Sequence, residues 1–80
     1  MSSNINMEPE IVYYGEESLR AFCYSGKSSP YKVYLINKSP LSFELRVEKK
    51  GKIVLIRYFV GKLKDLQAAA RILAGEWIVE

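Results

Sequence analysis

Eighty residues hold one domain with one modest core, and leave no room for separate substrate and cofactor domains. At 49% hydrophobic and 26% charged the chain reads as globular rather than disordered, and its single Cys23 excludes an intramolecular disulfide. The net charge of +3 hides a strong segregation: residues 1–17 carry four acids and no base, while residues 18–75 carry all twelve Lys and Arg against three acids, which makes the middle +9.

Residues 1–9, MSSNINMEP, read as a disordered leader, and residues 10–80 as a single α+β domain. Ile11 to Tyr14 is a short strand ended by Gly15-Glu16-Glu17. Leu19 to Ser25 is a second strand, and Gly26-Lys27-Ser28-Ser29-Pro30 is a loop by composition. Tyr31 to Asn37 is a further β-rich run, ended by Lys38-Ser39-Pro40. Leu41, Phe43, Leu45 and Val47 then alternate with Ser42, Glu44, Arg46 and Glu48, the pattern of a strand with one buried face. After a turn at 49–52, Ile53 to Val60 returns.

From Gly61 the apolar period changes from two to about 3.6. Leu63, Leu66, Ala70, Leu73 and Trp77 form one helical stripe, and Gly75 reads as the residue just past the helix end, which stops the helix near Ala74. Trp77, Ile78 and Val79 then fold back or pair as a strand. The expected architecture is an antiparallel β-meander of three to four strands followed by one C-terminal helix packed on one sheet face.

Loop lengths set an expected register. A turn at Lys50-Gly51 places Val47 opposite Val54, Leu45 opposite Ile56, Phe43 opposite Tyr58 and Leu41 opposite Val60, with Glu44 facing Arg57 on the other side. Leu45, Val47, Val54, Ile56, Leu66, Ala70 and Leu73 are then core. Asn37 opposite Leu41 adds Tyr31, Val33 and Leu35 to that face, and Ser25 opposite Tyr31 adds Leu19, Ala21 and Cys23. The face without the helix becomes a grid of Arg20, Phe22 and Tyr24, then Lys32, Tyr34 and Ile36, then Glu44 and Arg46, then Leu55, Arg57 and Phe59.

Rings between bases of this kind suit single-stranded DNA or RNA: aromatics stack on nucleobases while Lys and Arg neutralise phosphates. The expected contact set is Arg20, Phe22, Tyr24, Lys32, Tyr34, Arg46, Lys49, Lys50, Lys52, Arg57 and Phe59, the three lysines forming a cationic hairpin tip. The alternative is a protein-interaction module, a homodimer or a subunit of a larger assembly using the same face, because Ile36, Leu55 and Phe59 are apolar for a wet surface.

Enzymatic readings find little support. With no His the chain has no Cys–His nucleophile, and one Cys without His is a poor zinc set. Glu44 and Glu48 on an open strand read as ion-pair partners rather than an acid–base couple. Residues 21–28, AFCYSGKS, end like a phosphate-binding loop, but Ala21 stands where Gly is required and Pro30 with a β-rich run follows where a helix is required. No catalytic residue, metal or cofactor is expected. Neither a signal peptide nor an apolar run long enough to span a membrane is visible, so a cytoplasmic protein without membrane contact is expected.

The order of a strand meander and one C-terminal helix is similar to that of single-strand-binding coactivator domains that dimerise through such helices. Size and charge also resemble those of small ribosome-associated or chromatin proteins of thermophilic archaea. Plentiful Lys and Glu with a single Gln, a single Asp and no His or Thr fits a hyperthermophile.

Overall fold

The computed structural model describes residues 8–78. Five strands run β1 Glu10–Tyr14, β2 Leu19–Ser25, β3 Tyr31–Ser39, β4 Ser42–Lys49 and β5 Lys52–Val60, and the helix α1 spans Leu63–Trp77. All strands are antiparallel and lie side by side in chain order, so each pairs with its sequence neighbour and β1 and β5 are the edges. The domain is α+β, as expected, with one strand more than the meander anticipated. Residues 1–7 of the expected leader, and Val79 in the tail, lie outside the described residues.

The helix sits over the middle of the sheet, mainly on β3. Leu66, Ala70, Ala74 and Ile78 pack there on Phe22 and Tyr24 of β2, Val33 and Leu35 of β3, and Phe43, Leu45 and Val47 of β4. Fifteen residues are marginal as an isolated helix, so this apolar stripe supplies most of the helix's stability. No side chain caps its start, where Lys62 is extended, while Asp65 places a negative charge in the first turn. The helix runs through Gly75 instead of stopping at Ala74. The Ile78 N–H closes it by donating to the Ala74 carbonyl at 2.8 Å, and the buried Ile78 side chain anchors that end.

Three registers differ from expectation. Between β4 and β5 the turn is the expected one: Lys50 and Gly51 have φ of 50° and 86°, as a two-residue hairpin turn of inverted hand requires, and Lys49 faces Lys52. An irregularity then absorbs one residue at Val54, so that Val47 faces Leu55, Leu45 faces Arg57 and Phe43 faces Phe59. Val54 is 45% exposed, Ile56 and Leu73 are half-buried, and Leu55, Arg57 and Phe59 turn to the helix side. Apolar residues occupy both faces of β5, so the pattern did not select between the two registers.

Between β2 and β3, Ser25 faces Lys32 rather than Tyr31. That single step reverses β2: Phe22 and Tyr24 enter the core beneath the helix, and Leu19, Ala21 and Cys23 take the other face. Between β3 and β4, Asn37 faces Phe43 rather than Leu41. A shift of two preserves the faces, so Tyr31, Val33 and Leu35 remain on the helix side as expected.

Candidate nucleic-acid interface

The expected grid is not assembled on one face. Phe22 and Tyr24 are buried under α1, and the Arg20 guanidinium lies 5.5 Å from the centre of the Phe22 ring on the helix side. Leu55, Arg57 and Phe59 also lie on the helix side. The face away from the helix keeps Lys32, Tyr34, Ile36, Glu44 and Arg46, and gains Tyr14, Cys23 and Glu48.

On that face the sheet coils until β1 meets β4. The Tyr14 hydroxyl donates to the Glu48 carboxylate, and Arg46 Nη1 donates to the Tyr14 oxygen at 3.0 Å with its guanidinium 4.9 Å from the ring centre. Glu44, only 1% exposed, accepts a hydrogen bond from Arg46 Nε and pairs with Lys38 Nζ at 3.6 Å. It faces Tyr58 rather than Arg57. Burial raises the Tyr14 phenol pKa and the Glu48 carboxylate adds to the rise, while the bond to Glu44 raises that of Arg46. Tyr34 packs edge-on against Tyr14 at 5.0 Å, and burial pushes its phenol up to about 12. Burial likewise raises the Cys23 thiol, which stays a neutral, inert group. This network occupies Arg46 and Tyr34 internally, and its carboxylates repel phosphate.

The basic residues that stay open converge elsewhere. Strand ends and turns bring Lys27, Lys32, Lys49, Lys50 and Lys52 to one end of the sheet, where the Lys50 N–H donates to the Pro30 carbonyl at 3.2 Å and ties the two loops together. Among the described residues the ion pairs are those of Lys38 and Arg46 with Glu44, so none of these five lysines is held in an ion pair there, although Glu48, bonded to Tyr14, stands opposite Lys32. Lys49 lies 5.6 Å from the centre of the Tyr31 ring, and that ring meets half-buried Trp77 edge-on at 5.3 Å. The loop at Gly26 leads into β3, not into a helix whose N-terminus would receive phosphate.

A second surface was not anticipated. Because α1 is centred on β3, it leaves β5 uncovered, and a groove of ≈ 420 Å³ opens between them. Leu45, Leu55 and Phe59 form its floor, Ala69, Ile72, Leu73 and Trp77 its helical wall, and Arg57 and Glu76 its charged groups. The apolar runs 53–56 and 58–60, interrupted by Arg57 alone, were its signal in the sequence. No family model, curated protein or solved structure matches the chain.

Proposed function

We propose that the protein binds single-stranded nucleic acid without catalysing a reaction, and that the contact surface is the lysine-bearing end of the sheet rather than a sheet face. The observation that carries this reading is the convergence of Lys27, Lys32, Lys49, Lys50 and Lys52 with no ion-pair partner among the described residues. Flexible ammonium groups on two adjoining loops follow a polynucleotide backbone without sequence preference, and each neutralised phosphate releases counterions. Tyr31 and Trp77 stand beside the lysines and supply aromatic surface for a base. On this reading Lys32, Lys49, Lys50 and Lys52 are phosphate contacts, and Lys27 joins them. Arg20, Phe22, Tyr24, Tyr34 and Arg46 do not contribute to this surface, and Arg57 and Phe59 belong to the groove beside α1. We extend the proposal to a ribosome- or chromatin-associated protein in the cytoplasm of a hyperthermophilic archaeon; the plentiful Lys and Glu bear on the thermophilic part alone.

Trp77 is the only tryptophan and reports binding directly. Titration with oligonucleotides at two salt concentrations should show affinity falling with salt. The combined variant Lys49→Gln, Lys50→Asn, Lys52→Gln should flatten that dependence by about 0.7 in log–log slope for each phosphate no longer neutralised. Absence of binding at low salt, or binding that this variant leaves unchanged, overturns the proposal.

A further inference from the structure

The lysine end of the sheet and the groove beside α1 meet at Trp77. Its ring packs edge-on against Tyr31, next to Lys49, and it also belongs to the helical wall of the groove. β5 joins the two surfaces as well: it starts at Lys52 and carries Leu55, Arg57 and Phe59 into the groove. A strand whose phosphates lie on Lys49 and Lys52 therefore passes the mouth of the groove, where one base can turn in. The lysines do not tell one base from another, and the groove supplies the means to do so.

Its lining suits a flat ring with polar edges. Leu55, Phe59 and Trp77 offer apolar and aromatic surface, and ≈ 420 Å³ lies in the range of small-ligand sites. Arg57 and Glu76 are exposed at the groove, and among the described residues neither is in an ion pair, with the other or with any third group. Arg57 Nη1 donates to the Ile56 carbonyl at 2.9 Å, which leaves Nη2 and Nε free to donate. A wholly apolar occupant would cover both charges without pairing them, which is costly. The fitting occupant offers acceptors to the guanidinium and donors to the carboxylate from one apolar body.

Among the bases that requirement selects guanine. Its O6 and N7 are adjacent acceptors, the pair that arginine takes bidentately. Its N1–H and N2 amine are adjacent donors, presented to protein groups on the Watson–Crick edge of an unpaired base. Adenine and cytosine set a ring acceptor beside their one amine, and thymine and uracil set carbonyls on both sides of their one N–H, so each would turn an acceptor toward Glu76. We infer that the groove takes an unpaired guanine of the bound strand, with Arg57 on O6 and N7, Glu76 on N1–H and the N2 amine, and the ring against Phe59 and Trp77. This inference rests on the lysine-bearing end binding the strand.

Base analogues test each contact. Thymine oligonucleotides carry one central guanine, inosine, 7-deazaguanine or thymine, and Trp77 fluorescence follows binding. Guanine should bind more tightly than thymine by about 5- to 150-fold, the discrimination of a good bidentate pair. Inosine lacks the N2 amine and should bind about tenfold more weakly than guanine, as loss of a hydrogen bond to a charged group does. In Glu76→Ala the gap between guanine and inosine should close, and in Arg57→Ala the gap between guanine and 7-deazaguanine, which lacks N7, should close. Circular dichroism checks that both variants remain folded. The combined lysine variant should weaken all four oligonucleotides alike and keep their ratios. Equal affinity for guanine and thymine oligonucleotides, or gaps that persist in Glu76→Ala and Arg57→Ala, overturns this inference and leaves the lysine surface standing. No binding of any of the four at low salt removes the lysine surface and this inference with it.

Discussion

Tyr24 gives a direct test of the face that β2 presents to the helix. The side chain is fully buried opposite Val33 and packs in the cluster formed by Leu66, Ala70 and Ala74, yet its hydroxyl finds no hydrogen-bond partner among the described residues. Burial raises the phenol pKa, only partly offset by the charge of Arg71. Two substitutions separate the ring from the hydroxyl. Tyr24→Ala removes a buried aromatic and should cost about 3–5 kcal/mol, as such truncations do in cores. A domain of this size holds only about 4–12 kcal/mol in all, so that variant loses a large part of its stability. Tyr24→Phe keeps the ring and deletes a group whose uncompensated burial costs about 1–3 kcal/mol, so it should stabilise by about 1 kcal/mol. That gain corresponds to a rise of about 4–8 °C in Tm. Urea unfolding followed by Trp77 fluorescence measures both. If Tyr24→Ala lies within about 0.5 kcal/mol of wild type, the ring is on the surface and the assignment of faces fails. If Tyr24→Phe loses about 1 kcal/mol instead of gaining it, the hydroxyl has a partner and the account of its burial is wrong.

Alkaline pH should destabilise the fold through Tyr34. Its folded pKa of about 12 exceeds the ordinary 10.0, so its contribution is complete below pH 10; above that the unfolded chain loses its proton first, and stability falls until pH passes about 12. Tyr14 and Tyr24, also raised, act in the same direction. Tyr34→Phe should shrink the drop in urea midpoint between these limits, and an unchanged drop would contradict the burial of that phenol. Gly75→Ala should stabilise by about 0.5–1 kcal/mol in thermal unfolding, since a Cβ there meets nothing within 4 Å and the helix continues past it. A loss of similar size would mean that the helix ends at Gly75 in a left-handed conformation, as the sequence pattern suggested.

The element order, the hairpin turn and the helix stripe were legible in the chain because each rests on local chemistry. Lys50-Gly51 turns because glycine accepts positive φ, β4 alternates strictly, and Leu66, Ala70 and Leu73 recur at helical spacing. The faces were chosen by strand pairing instead. In β2 the run Ala21-Phe22-Cys23-Tyr24 is apolar on both parities, and β5 is apolar almost throughout, so either face could have been buried and neither pattern chose. A single residue at the β2–β3 connection and a single bulged residue at Val54 made the choice, and with it moved Phe22 and Tyr24 from an expected binding surface into the core. The coil of the sheet, which brings Tyr14 to Arg46 and Glu48 across two intervening strands, has no local signature at all. The lysines were legible as charge; their convergence at one end of the sheet follows from antiparallel pairing, which joins the 26–30 loop to the 50–51 turn although about twenty residues separate them in sequence.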